Sequence, residues 1–463
     1  MTEQLKLKLN DSKATRWGAL VIVAFTMMAA YYVNDVVAPL KTMLETDLAW
    51  SSTDFGFFTG GYSFLNVFFL MLIWGGLILD RFGIRFTGKL ATILMVGGTA
   101  LEYYAMTGLA GADATLFGIN EIFGYKTGVF VAFAGYSIFG VGAEVAGITV
   151  SKIIAKWFKG KELATAMGVQ VALARIGSQA GYAVAIPLAR AFGISTPVLL
   201  GLVLLLGGMI AFFIFAVMDK KLDKQMGAAA IAAGTEDEEE KFSFKDVKNI
   251  LVNPGFWLIA LLCVLFYSCV FPFQKFASEL MIIKYGINEN VAGTFAGLPA
   301  LGALILTPVF GGFIDKRGKS ASIMLLGSAM LICVHFIYAI PDINYWLVAI
   351  VLMIILGIAF SLVPSAMWPA VAKIFPVSQL GTAYALIFFI QNIGLWGIPT
   401  LIGWVLDAYC ISGKKPDGTN MYDYTVPMCI FTGIACLSLI VALLLKKADK
   451  KYGYKLEEPN IQK

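Results

Sequence analysis

The chain has little charge, a single histidine and no paired cysteine motif, and each shortage removes a class of protein. Asp, Glu, Lys and Arg make up 14% of its 463 residues, where a soluble domain carries about a quarter. Apolar residues reach 59% and form continuous runs between basic loops. A β-barrel needs alternating segments of about ten residues, which these runs are not. His335 is the only histidine, so a multi-histidine metal centre is excluded, and its place in an apolar run predicts a buried or interfacial ring. Cys263, Cys269, Cys333, Cys410, Cys429 and Cys436 lack C-x-x-C spacing and read as small buried hydrophobes. There is no phosphate-binding glycine loop, no H-E-x-x-H pair and no nucleophile–base arrangement, so neither an enzyme nor a cofactor is expected. The net charge of +5 is no nucleic-acid signal, because Lys and Arg gather in the loops.

What remains is an all-α polytopic membrane protein. Its apolar runs predict transmembrane helices near 17–40, 53–79, 86–109, 128–155, 162–190, 195–218, 252–282, 290–314, 320–340, 345–372, 379–405 and 424–446. The first run is too long for a signal-peptide core and is read as a retained helix. Basic clusters in both tails, at Arg81, Arg85 and Lys89, between Lys152 and Lys161, at Lys316, Arg317 and Lys319, and at Lys220, Lys221 and Lys224 fall on one face, which places both termini in the cytoplasm. The implied division is a tail (1–16), a six-helix bundle (17–218), a charged cytoplasmic linker (219–250) with the acidic run Glu236–Glu240, a second bundle (251–446) and a tail (447–463).

The two bundles repeat one another. GGLILDRFGIR, Gly75 to Arg85, returns as GGFIDKRGK, Gly311 to Lys319, so Asp80 matches Asp315, and Tyr32 matches Tyr267 at the same spacing. Further on, Leu163 aligns with Leu380, Glu144 with Ser361 and Arg175 with Asn392, at a spacing shorter by about the length of the polar insert GADATLFGINEIFGYKT between helices 3 and 4. Two pseudo-symmetric six-helix bundles in parallel repeat, with a long connector, are the architecture of the major facilitator superfamily. Gly76, Asp80, Arg81, Gly83 and Arg85 resemble that superfamily's helix 2–3 signature, with Asp315 and Lys316 in the second copy. The glycines permit a tight turn, and the aspartate can meet cations or a helix N-terminus across the seam between halves. These residues either form an inner gate or only fix topology. Asp35, Lys275 and Glu279, near outer helix ends, are candidates for an outer gate or are simply solvated.

Two charges lie deep in the first bundle. Glu144 precedes the basic turn WFKGKEL by as much chain as Arg175 follows it, which puts both about 18–21 Å from the inner face of a hydrocarbon layer ~30 Å thick. Each costs about 2.5–3.5 kcal/mol there, so each needs a partner or a task. Their counterparts in the second half, Ser361 and Asn392, are neutral. Either the two form a structural ion pair, or they share a zwitterion, the carboxylate taking an ammonium and the guanidinium a carboxylate. Asn66 lies at the same depth, and Tyr31, Tyr32, Tyr62, Tyr267, Phe271, Phe273, Tyr384 and Trp396 are candidate walls or packing.

At WFKGKEL, ARIGS, YSFLNV (Tyr62, Asn66), VFPF, MWPAVA (Trp368) and QLGTAY with IQNIG (Gln391, Asn392), the chain resembles the lysosomal dipeptide uniporter family of that superfamily. The resemblance implies facilitated dipeptide movement by alternating access, with Glu144 at the peptide's amino end, Arg175 at its carboxylate, and Trp368 among the gating residues. The only glycosylation sequon, Asn10-Asp11-Ser12, falls on the cytoplasmic side, and the tail lacks an acidic dileucine address. The expectation is therefore a monomer in a microbial cytoplasmic membrane without a glycosylated accessory subunit. A carrier of organic anions or amino-acid-like zwitterions and a non-transporting nutrient receptor are the alternative functions.

Overall fold

The computed structural model describes residues 9–111, 114–158, 161–233, 244–415 and 417–460. The acidic run Glu236–Glu240 lies outside them. The first half comprises α1 (Lys13–Val36), the short α2 (Lys41–Leu48), α3 (Ser52–Phe68), α4 (Met71–Thr107), α5 (Thr127–Trp157), α6 (Leu163–Phe192) and α7 (Thr196–Ala233). A short α8 (Phe244–Val252) leads into α9 (Pro254–Tyr285), α10 (Glu289–Ala296), α11 (Leu298–Arg317), α12 (Ser320–Ala339), α13 (Trp346–Ile374), α14 (Val377–Tyr409) and α15 (Thr425–Tyr452). Two antiparallel hairpins lie on the face opposite the termini, β1 (Glu121–Ile122) with β2 (Tyr125–Lys126), and β3 (Ile411–Lys414) with β4 (Asn420–Tyr422).

Nine of the described helical segments are long and apolar enough to cross a membrane, and the α3–α4 pair makes a tenth span. Gly83, at φ 75° and ψ 173°, divides that pair into an inward and an outward passage. Only glycine enters that region without strain, which is why the D-R-F-G-I-R motif sits at the reversal. The 30-residue α6 lies between the spans α5 and α7 and packs on α1. The inward passage is itself broken at Leu70, whose φ is 54°.

Within the first half α4 packs on α5, α1 on α6 and α7, and α3 on α5; within the second, α12 packs on α15 and α13, α11 on α13, and α9 on α14 and α15. The halves meet where α3 lies along α14 and where α6 meets α10 and α11. Two glycines set the positions that matter for the site. A Cβ on Gly140 would lie 2.0 Å from the carbonyl oxygen of Tyr62, and one on Gly177 would lie 2.1 Å from that of Met28. Helices α3 and α5, and α1 and α6, therefore approach backbone to backbone, the small-residue packing that membranes favour where lipid gives no hydrophobic drive between helices. The cysteines split: Cys263, Cys269 and Cys410 are buried, but Cys333, Cys429 and Cys436 are exposed on the outside of the bundle, where lipid makes burial unnecessary. His335 is buried, edge-on to Phe273 at 4.9 Å and stacked on Phe431 at 5.3 Å.

Candidate substrate cavity and gates

The Gly140 contact puts Tyr62 opposite the next turn of α5, and its hydroxyl donates to Glu144 Oε1 at 3.0 Å. The Gly177 contact puts α1 beside Arg175, whose guanidinium lies 5.6 Å from the Tyr31 ring and 4.8 Å from the Phe360 ring of the other half. Glu144 and Arg175 line one cavity of about 240 Å³. No ion pair joins them among the described residues, and none joins either to another charge. Two ring faces hold the guanidinium without consuming its five donors, and one phenol leaves most of the carboxylate's lone pairs open. The site presents a carboxyl group and a guanidinium, unpaired with each other, in an aromatic-walled chamber, which suits a ligand with opposite charges at its ends.

Tyr62, Tyr267 and Gln391 also line this cavity, as does Trp368, which was expected at a gate. Trp368 is stacked on Phe388 at 4.8 Å, and its carbonyl accepts from Tyr384 at 3.0 Å. Three expected binding residues are not brought there. Tyr32 is buried and donates to the Pro197 carbonyl at 3.2 Å, because it sits one helical step round α1 from cavity-lining Tyr31. Asn392 is buried with its amide spent on the Phe388 carbonyl at 2.9 Å. Asn66 is buried and makes no side-chain hydrogen bond among the described residues. Asn34, Tyr136, Lys275 and Phe388 line the cavity as well. Tyr136 was within reach of sequence reasoning, since it precedes Glu144 by about two turns of the same helix.

The cavity's outer end is sealed by charges from both halves. Lys275 on α9 donates to the Asn34 carbonyl at 2.6 Å and meets Asp35 at 3.2 Å, while Ser178, one turn beyond Arg175, donates to the same aspartate at 2.5 Å. A second tier lies farther out. Lys41 pairs with Glu279 at 2.5 Å, with side chains 3% and 1% exposed, and Lys415 of β3–β4 stands 3.8 Å from both Glu279 and Glu45. Tyr424 donates to Glu279 at 2.5 Å, and burial, then the carboxylate, push its phenol well above the ordinary value, so it stays a donor. Asp407 of α14 accepts from the Ser52 and Thr53 amides at 3.3 and 2.6 Å, capping α3 across the seam and opposing that helix's positive end. Asp35, Lys275 and Glu279 are thus buried and paired, not solvated, because the outer ends of the two halves close on each other.

The inner end differs. Asp80 meets Lys152 at 3.2 Å, Arg85 meets Asp219 at 3.4 Å and Asp223 at 2.5 Å, and Lys156 meets the same two aspartates. Arg81 lies over the Phe82 ring at 5.5 Å, Asp315 accepts from Asn460 at 2.7 Å, and Lys316 is exposed. Arg16 clasps Glu162 at 2.7 Å and holds its carboxyl below the usual range. Each of these contacts stays within one half. The expected inner gating residues hold their printed contacts within their own halves, while the outer ends of the two halves are joined by charges.

The Major Facilitator Superfamily matches residues 20–398 and 276–458. The human lysosomal dipeptide transporter MFSD1 is 29% identical over 95% of this chain and 88% of its own length, and the Danio rerio protein of that name is 26% identical over 93% and 86%. Among solved structures, the nucleoside transporter NupG superposes with a TM-score of 0.66 at 12% identity, covering 92% of this chain and 98% of that one. A bacterial homologue of the human lysosomal transporter Spinster, in an inward-facing and unoccupied conformation, gives 0.62 at 14% identity over 98% and 99%. The lysosomal names of the curated relatives stand against the microbial membrane expected above. With apolar spanning helices in two repeated halves around a charged central cavity, this chain belongs to the Major Facilitator Superfamily and is an integral membrane transporter.

Proposed function

We propose that the protein moves dipeptides across its membrane by alternating access, as a facilitative uniporter that holds the zwitterion between Glu144 and Arg175. The observation that carries this reading is that the two charges share one cavity without pairing. The names of the MFSD1 relatives support the substrate class. A carboxylate can receive the peptide's ammonium, and a guanidinium the peptide's carboxylate through its planar fork. The aromatic walls then cover what lies between. A pure organic anion would satisfy Arg175 but be repelled by Glu144.

Purified protein in liposomes preloaded with unlabelled dipeptide should take up labelled dipeptide by counterflow, and an imposed pH gradient should add little accumulation. Strong gradient-driven accumulation would overturn uniport. Binding without flux would favour a receptor, and exchange of free amino acids but not dipeptides would overturn the substrate class.

A further inference from the structure

The insert between α4 and α5 is unused by the transport reading, and its geometry is unusual. It contains two tight turns that share a central Phe-Gly, Leu116-Phe117-Gly118-Ile119 and Ile122-Phe123-Gly124-Tyr125. Leu116 and Ile119 exchange both backbone hydrogen bonds at 3.0 Å, and β1 and β2 flank the second turn. Phe117 and Phe123 have φ of 56° and 53°, and the glycines that follow 80° and 81°. Positive φ at both central residues is the type I′ pattern, which favours Asn, Asp or Gly at the first of them. A phenylalanine there is strained. Neither ring repays that strain by burial, since Phe117 is 95% exposed and Phe123 88%, the most exposed large apolar side chains described.

The turns are nonetheless held firmly. Thr127 donates its amide to Asn120 at 2.9 Å and its hydroxyl to Ile119 at 2.8 Å. Tyr125 stacks on Phe57 at 3.9 Å, and Lys126 donates to the Ala49 carbonyl at 2.6 Å. The insert leaves α4 at Thr107 and enters α5 at Thr127, so both its ends sit at the outer membrane surface. From the Phe123 tip a chain of rings runs into the spanning helices, through Phe130 at 5.9 Å, Phe133 at 6.1 Å and Phe64 on α3 at 5.0 Å. Tryptophan and tyrosine concentrate at this level in membrane proteins, and phenylalanine is among the apolar residues that interfacial segments seat at the headgroup–acyl boundary.

We propose that Phe117 and Phe123 are a two-pronged lipid anchor, seated at the boundary between headgroups and acyl chains of the outer leaflet. The strained turns present the rings, the bonds to Asn120, Ile119 and Ala49 fix their height, and the ring chain ties the Phe123 tip to the spanning helices α3 and α5. The anchor holds the outer end of the first half against the bilayer. This inference needs only a membrane-spanning chain and does not depend on the dipeptide reading.

The test places spin labels at Phe117→Cys and at Phe123→Cys, with exposed Cys333, Cys429 and Cys436 replaced by Ser, in lipid nanodiscs. Collision rates with oxygen and with a water-soluble nickel chelate report depth, and a label at exposed Asp342 in another outer loop is the control. The expected oxygen-to-nickel ratio at both tips is several-fold above the control. A ratio equal to the control would overturn the anchor and favour a soluble partner for these rings. The unaltered protein gives a second reading: a photoactivatable lipid with its reactive group near the headgroup should label peptides covering residues 114–126. Labelling of α5 without labelling of those peptides would also overturn it.

Discussion

Glu144 and Arg175 line the same cavity yet, among the described residues, neither is paired with the other, one accepting from the Tyr62 hydroxyl and the other held between the Tyr31 and Phe360 rings. Had they formed a buried ion pair, removing one partner would cost about 3–5 kcal/mol. Because they do not, Glu144→Gln and Arg175→Gln should leave the thermal midpoint of the empty protein within a few degrees of wild type while abolishing the dipeptide-induced rise. A large loss of midpoint in either variant would restore the structural ion pair.

The glycines that set the site's spacing give a separate expectation. Gly140→Ala would drive a methyl to 2.0 Å from the Tyr62 carbonyl and Gly177→Ala to 2.1 Å from that of Met28. Overpacking of this kind costs about 1–3 kcal/mol. Each variant should unfold at a lower temperature and bind dipeptide several-fold more weakly, because helix separation moves Tyr62 from Glu144 or Tyr31 from Arg175. Gly76, with no atom near its would-be Cβ, should accept alanine with neither loss.

The outer seal should be a population switch. Glu279→Gln leaves Lys41 buried beside a neutral partner, a cost of about 3–5 kcal/mol that falls on the outer-closed state. Spin labels at Thr46 and Asp342, exposed outer positions on opposite halves, should report a longer distance in this variant than in wild type. An unchanged distance would mean that the charge cluster does not hold the gate.

Asp80 should behave in the opposite way. Its side chain is 62% exposed and its Lys152 partner 35%, so the contact contributes about 0–1 kcal/mol in this conformation. If the motif acts across the seam in another conformation, Asp80→Asn should leave the midpoint unchanged and lower the counterflow rate. A fall in midpoint equal to that of a core variant would assign it a structural role here.

Much of this arrangement is legible without coordinates, for identifiable reasons. Depth along a spanning helix follows from residue spacing, so Glu144 and Arg175 could be placed level with each other from the basic turn between them. The repeat gave the two halves, and Gly83 fell where the motif required a reversal. Direction around a helix axis is a different matter. Tyr31 and Tyr32 are neighbours in an apolar run whose periodicity is blurred because lipid and core are equally apolar, and only one of them faces the cavity. Asn66 and Asn392 share the right depth and face elsewhere for the same reason. Asp35, Lys275 and Glu279 sit near helix ends, where water is the default partner, and their burial depends on the two halves meeting at the outer face. How the two halves meet is set by contacts between distant helices, and a pattern in one dimension does not carry it.

The most direct measurement of the central claim is the affinity of one dipeptide, its N-acetyl form and its C-amide form for wild type, Glu144→Gln and Arg175→Gln. If the clamp is right, N-acetylation weakens binding at least tenfold in wild type and not further in Glu144→Gln, while amidation does the same for wild type and Arg175→Gln. Equal binding of free and blocked dipeptides to wild type, or independent losses in every combination, would contradict it.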